Sequence, residues 1–274
     1  MSVTERAGLA GARRVVVKVG SSSISGDSAH KIQPIVEALA AAHARGTEVV
    51  LVSSGAIATG MPYLALDERP SDLATQQAAA AVGQNVLIYR YQDALRPFAI
   101  VAGQVLLTAG DLENPTHRSN ARRAMERLLS LRILPIVNEN DTVATHEIRF
   151  GDNDRLAALV AQLIGADALV LLSDIESLYT RPPSEPGATP IDRVDPDDDL
   201  SDFEFGSVVV NSVGTGGAAT KASAARLASA AGIGVLVTSA DLVAEALNGE
   251  HVGTWFVPNP HPAVPPGTSP VRTA

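Results

Sequence analysis

VVVKV (15–19), EVVLVS (48–53), FAIVAGQVLL (98–107), ILPIV (133–137), ALVLLS (168–173), GVLVTS (234–239) and VGTWFV (252–257) are short, β-rich runs with little polar alternation. Such runs suit strands that are covered on both faces. Between them, IQPIVEALAAAHARG, DLATQQAAAAVGQNVLIYRYQDAL, SNARRAMERLLSL, DRLAALVAQLIG and ATKASAARLASAAG carry apolar residues at helical spacing, several of them stopping at Gly. A strand followed by a helix, repeated along the chain, predicts an α/β fold on a mostly parallel central sheet with helices on both sides. With 274 residues, 46% of them hydrophobic, the chain can bury a sizeable core in one large domain or two ordinary ones.

Three stretches depart from this rhythm. TVATHEIRF (142–150) alternates polar and apolar residues like a small hairpin lying off the sheet. RPPSEPGATPIDRVDPDDD (181–199) combines prolines with acids and is expected to be an exposed loop. Residues 258–274 are Pro-rich and are expected to form a disordered tail behind a domain spanning 1–257. No internal repeat is present.

The absence of cysteine excludes a disulfide framework and a Cys-based zinc site. The N-terminal residues lack an apolar h-region, and no stretch approaches the roughly 18 unbroken apolar residues of a membrane span. A soluble, cytoplasmic protein without membrane contact is expected. The formal charge of −9 argues against a sequence-independent hold on nucleic acid. An anionic small molecule would instead need a few lysines concentrated in one cleft.

In open α/β sheets, ligands bind beyond the carboxyl ends of the strands. Four strand-to-helix junctions here are polar. VVVKVGSSS puts Lys18 in an apolar strand ahead of Gly20, Ser21, Ser22 and Ser23. Such a lysine can be an edge residue, but backbone amides and hydroxyls after it suit phosphate oxygens. LVSSGAIATG contributes Ser53, Ser54 and Gly55, a helix start that is either simply capped or part of a site.

The third junction, NENDTVATHEIRFGDND, sets Asn138, Glu139, Asn140 and Asp141 before the alternating segment and Asp152, Asn153 and Asp154 after it. A helix N-cap explains one of these acids, not the rest. The fourth, SVGTGGAATK, opens a helix with Gly214, Gly216 and Gly217 and places Lys221 in its first turn or so, against the dipole preference for acids there. It is not a Walker A loop. It does match G-x-G-x-x-A with Asp241 beyond it, so an NAD-linked oxidoreductase is a rival reading.

VVVKVGSS, VSSGAIATG, IVNENDTVATHEIRFGDNDRLAALVA, LVLLSDIESLY and GTGGAATK, in this order, resemble the glutamate 5-kinases, a branch of the amino-acid kinase family, over roughly residues 13–257. The resemblance implies an αβα sandwich and transfer of the ATP γ-phosphoryl to the side-chain carboxylate of L-glutamate, toward proline. It further implies that Ser54, Asn138, Asp141 and Asn153 bind glutamate, with the segment between the two clusters as a lid. Lys18, Gly20, Ser173, Asp174, Thr215, Gly216, Gly217 and Lys221 would bind the nucleotide. Lys18 and Lys221 would act on the phosphoryl group with Asp154 organising them, and magnesium would be held by ATP and water rather than by protein ligands. Proline as a feedback inhibitor and a homo-oligomer are implied as well. Ala218 and Ser177 depart from the family pattern, which has Met and Gly there, and the PUA domain that many members carry at the C-terminus is not in this sequence. A catalytically silent amino-acid sensor would keep Ser54, Asp141 and Asn153 without needing the lysines.

Overall fold

The computed structural model describes residues 3–144, 153–200 and 217–262. Among these residues the strands are β1 (Arg14–Lys18), β2 (Glu48–Val52), β3 (Ala102–Leu107), β4 (Leu134–Glu139), β5 (Ala168–Ser173), β6 (Arg193–Val194), β7 (Gly234–Ser239) and β8 (Thr254–Phe256). The helices are α1 (Ile32–Ala44), α2 (Ala56–Gly60), α3 (Leu73–Leu95), α4 (Ala109–Glu113), α5 (Pro115–Ser130), α6 (Asn153–Ile164), α7 (Ala218–Ala230) and α8 (Val243–Leu247). The strands form one sheet in the order β3-β4-β2-β1-β5-β7-β8-β6. Neighbours are parallel except β8, which runs antiparallel to β7.

Every residue of β1 is buried, because successive side chains enter different layers. Val15 and Val17 pack with α1, α3 and α8, while Val16 packs with α5, α6 and α7. By the same two-residue period Lys18 follows Val16 toward α6 and α7. The chain moves outward from β1 to β3 on one side, returns to β4, then crosses to β5 on the other side of β1. This reversal opens a crevice at the carboxyl ends of the central strands.

Two glycines fix the layer beside that crevice. A Cβ on Gly83 of α3 would lie 1.8 Å from the Ala56 carbonyl oxygen, and one on Gly60 of α2 would lie 1.9 Å from that of Ala79. The two helix backbones therefore touch, and α2, which directly follows Ser53-Ser54-Gly55, is held against α3.

The structure departs from the sequence expectations in three places. The stretch 181–199 is not simply an exposed loop: β6 pairs with β8, and Ile191 and Val194 are buried. Two residues of strand among prolines and acids are too few to show a period. β3 starts four residues late, because α3 ends in a 3-10 turn at Arg96–Phe98 and Ala99 adopts a positive φ of 54° before the chain enters the sheet. Helix α5 starts early, at Pro115, where Asn114 accepts hydrogen bonds from the Thr116 and His117 amides. Of the expected hairpin, residues 142–143 lie in a turn and 145–150 lie outside the described residues. Pro258 is buried and the Asn259 amide donates to the Ser229 carbonyl at 2.8 Å; residues 263–274 lie outside the described residues.

Candidate active site

Three elements meet in one charged cluster. Lys18 ends β1, Asp154 lies in the first turn of α6, and Lys221 lies in the first turn of α7. Lys18 Nζ is 2.6 Å from Asp154 Oδ1 and Lys221 Nζ is 3.1 Å from Asp154 Oδ2. Asp154 is wholly buried and both lysines are nearly so. Its carboxylate therefore serves the lysines. The Thr220 hydroxyl, 3.3 Å from Asp154 Oδ2 and 2.9 Å from the Gly217 carbonyl oxygen, also accepts from the Gly217 amide at 2.9 Å. Two cations converge on one carboxylate in a water-poor place. Two ammonium groups held side by side can receive a polyanion.

The neighbouring turns are tied together. The Ser22 and Ser23 hydroxyls donate to Asp174 Oδ1 at 3.0 and 3.2 Å, joining the turn after β1 to the turn after β5. Ser173 ends β5 opposite Ser239 of β7. A Cβ on Gly20 would be 3.9 Å from Lys18 Nζ, so this backbone passes close to the ammonium group. Gly217 is the N-cap of α7. Thr215 and Gly216, with Gly214, lie outside the described residues.

Beyond β2 and β4 a set of amides and hydroxyls is linked by hydrogen bonds. Asn153 Nδ2 donates to the Ser53 carbonyl at 2.7 Å and to Asn138 Oδ1 at 2.8 Å. Asn138 Oδ1 also accepts from the Glu139 amide at 2.9 Å, and Asn138 Nδ2 donates to Gln84 Oε1 at 2.6 Å. The Ser53 hydroxyl meets the Tyr91 hydroxyl at 3.0 Å. Burial raises the Tyr91 pKa well above that of an ordinary tyrosine, against the smaller opposing effect of the Ser53 hydrogen bond. Ser54 follows Ser53 and does not cap α2, whose N-cap is Gly55 at φ 82°, packed so closely that a Cβ there would lie 2.6 Å from Ser25 Oγ.

Asp141 follows β4 and lines a cavity of about 270 Å³ with Glu139, Thr142, Gln84, Gln104 and the α2–α3 contact. Asn153 and Asp154 are consecutive, so the amide network and the charged cluster meet at the start of α6. The structure thus brings Lys18, Asp154 and Lys221 into one group, and Asn138 and Asn153 into another, with Asp141 and Ser54 beside it. Gln84, Tyr91 and Thr220 were not singled out in the sequence. A polar residue at a buried position of a helix, as Gln84 is, was the available signal. Asp241, required by the dinucleotide reading, is instead paired with Lys31 at 2.9 Å.

Residues 13–239 match the amino acid kinase family. The chain is 70% identical to a glutamate 5-kinase of Clavibacter sepedonicus, over 94% of this chain and 99% of that protein. It is 69% identical to a glutamate 5-kinase of Leifsonia xyli subsp. xyli, over 96% of this chain and 98% of that one. Among solved structures, carbamate kinase from Giardia lamblia bound to AMP-PNP superposes with a TM-score of 0.67 at 16% identity, covering 91% of this chain and all of that one. Uridylate kinase from Archaeoglobus fulgidus gives 0.57 at 18% identity, covering 89% and 99%. The two structural likenesses bear on the fold alone.

Proposed function

Because the chain belongs to the amino acid kinase family, and within it to the glutamate 5-kinases, we infer that it transfers the γ-phosphoryl group of ATP to the side-chain carboxylate of L-glutamate. The product is L-glutamyl 5-phosphate, which begins the route to proline. The acceptor has a pKa of about 4.3 and is ionised at neutral pH, so it needs no general base. The difficulty is that one anion must approach another. Catalysis then rests on alignment and on cations around the moving phosphoryl group.

Lys18 and Lys221 are suited to that work, since Asp154 holds both ammonium groups side by side. With Gly20, Ser173, Asp174, Thr215, Gly216 and Gly217 they would form the nucleotide half. Ser54, Asn138, Asp141 and Asn153 would form the glutamate half. Asp141 would pair with the α-ammonium group, which separates an amino acid from a plain dicarboxylate. Both Asp154 oxygens are engaged by lysines, so we assign magnesium to the ATP phosphates and water, in keeping with its reluctance to shed its hydration shell. It would neutralise charge on the phosphates.

Proline inhibition through part of the glutamate site, a homo-oligomer and a cytoplasmic location belong to the same proposal and rest on the family. Among the described residues no helix is long and apolar enough to cross a membrane. Proline is expected to raise the apparent KM for glutamate more than it lowers kcat; a purely noncompetitive pattern would put its site elsewhere.

The observation that carries this reading is the joining of Lys18 and Lys221 through Asp154, directly beside Asn153 of the amide network. The test is ADP formation with ATP, magnesium and L-glutamate, set against aspartate, acetylglutamate, carbamate and UMP. Glutamate should be the preferred acceptor. Turnover with one of the others alone would overturn the assignment.

A further inference from the structure

The amide network has a direction that backbone groups dictate at both ends. The Glu139 N–H can only donate, so the Asn138 atom 2.9 Å from it must be the oxygen. The Ser53 carbonyl can only accept, so the Asn153 atom 2.7 Å from it must be the nitrogen. Turning Asn138 over would set its NH₂ against two donors, the Glu139 amide and Asn153 Nδ2. Its nitrogen is therefore committed to Gln84, and the Gln84 atom that receives it at 2.6 Å must be the oxygen. Gln84 is 9% exposed and lines the cavity shared by Glu139 and Asp141. Its oxygen is turned to Asn138, and its NH₂ nitrogen, which needs acceptors, has no protein partner among the described residues.

We propose that Gln84 is a substrate-binding residue whose side-chain NH₂ donates to the α-carboxylate of the amino-acid substrate, so that it selects the charge state at that carbon. This rests on the reading of the chain as a glutamate kinase. Lys18, Asp154 and Lys221 are not in the lining of the cavity, while Asp141 is, so this end of the site faces the amino-acid carbon rather than the reacting carboxylate. An acid for the ammonium group and an NH₂ donor for the carboxylate are the complementary pair that an α-amino acid requires. Asn85 and Gln104 also line the cavity, but among the described residues no hydrogen bond fixes which end of either amide faces it.

Gln84→Glu tests this cleanly, because it keeps an acceptor for Asn138 and replaces only the NH₂ with a second oxygen. The kcat/KM values for L-glutamate and for L-isoglutamine, its α-carboxamide, are measured in parent and variant, with KM for ATP and melting temperature alongside. The variant should lose at least about tenfold with glutamate, the scale of a charged hydrogen bond, while KM for ATP stays within about twofold. The isoglutamine-to-glutamate ratio should rise by at least about tenfold, since a carboxamide can donate to the new carboxylate. Gln84→Met, which loses both ends, should show no such shift of the ratio. An unchanged ratio in a folded Gln84→Glu protein overturns the assignment, whether or not overall activity falls. A parent that does not phosphorylate glutamate would instead remove the functional reading itself, and this inference with it.

Discussion

At the carboxyl end of β1, three charged side chains from three elements are buried against one another, whereas beyond β2 and β4 the linked groups are amides and hydroxyls. In the proposed division of labour the charged cluster would act through its two ammonium groups, which attract phosphate oxygens from a range of directions. The amide network acts by direction, since backbone groups at its ends fix which way the amides of Asn138, Asn153 and Gln84 face. A polyanion with rotating phosphates can be held by charge. A small zwitterion must be read group by group.

If this division is right, damage to each half should show in a different kinetic constant. The largest loss is expected for Lys221→Met or Lys18→Met, each of which removes a cation proposed to act on the transferring group. Steady-state assays should find kcat lowered by about 10²–10³, with KM for glutamate little changed. A rise in glutamate KM of similar size would break the separation. Next is Asp141→Asn, which keeps size and removes charge. Glutamate KM should rise by an amount worth about 1.5–3 kcal/mol, with ATP affinity almost unmoved. Matched losses for both substrates would show that Asp141 supports the whole site instead.

Smaller still is Tyr91→Phe behind the network. It removes the hydroxyl at 3.0 Å from Ser53 and should lower stability by about 0.5–1.5 kcal/mol in denaturant melts, with kcat close to that of the parent. A large kcat loss with normal stability would make Tyr91 part of the chemistry. The smallest effect lies outside both halves, at Asp111. Burial alone would raise its pKa, but hydrogen bonds from the Thr108 side chain and backbone and from His117 hold it below the ordinary value. A depressed folded pKa means stability that is present above the unfolded pKa and lost as pH falls through the folded one. Melting temperature should therefore fall more on acidification in the parent than in Asp111→Asn. Parallel curves would remove this contribution.

The sheet was legible because strands covered on both faces leave unbroken apolar runs, and β5 and β7 match those runs residue for residue. β6 was not, since its two residues are held by β8 rather than by any pattern of their own. In the site, Lys18 stood out because the Gly-Ser-Ser-Ser turn that follows its strand suits phosphate oxygens; its pairing with Asp154 is seen only in the structure. Asn138, Asp141 and Asn153 stood out through crowding and family resemblance. Gln84 and Tyr91 did not, because they sit at buried positions of an ordinary-looking helix and nothing in the spacing links residue 84 to residue 138. That link exists only once α2 and α3 are packed beside the sheet. Thr215 and Gly216 were named from the sequence and lie outside the described residues.

The most direct test of the account is the pH dependence of kcat in parent and Asp154→Asn, with ATP binding measured alongside. The substitution keeps the shape of the group that both lysines touch and removes its charge. If Asp154 organises the lysines, kcat should fall at every pH at which glutamate is ionised, by about 10²–10³, while ATP still binds. If Asp154 were a general base, the parent kcat would follow a single ionisation that vanishes in the variant, and the two proteins would match below that pKa. That second pattern would contradict the division of labour proposed for the site.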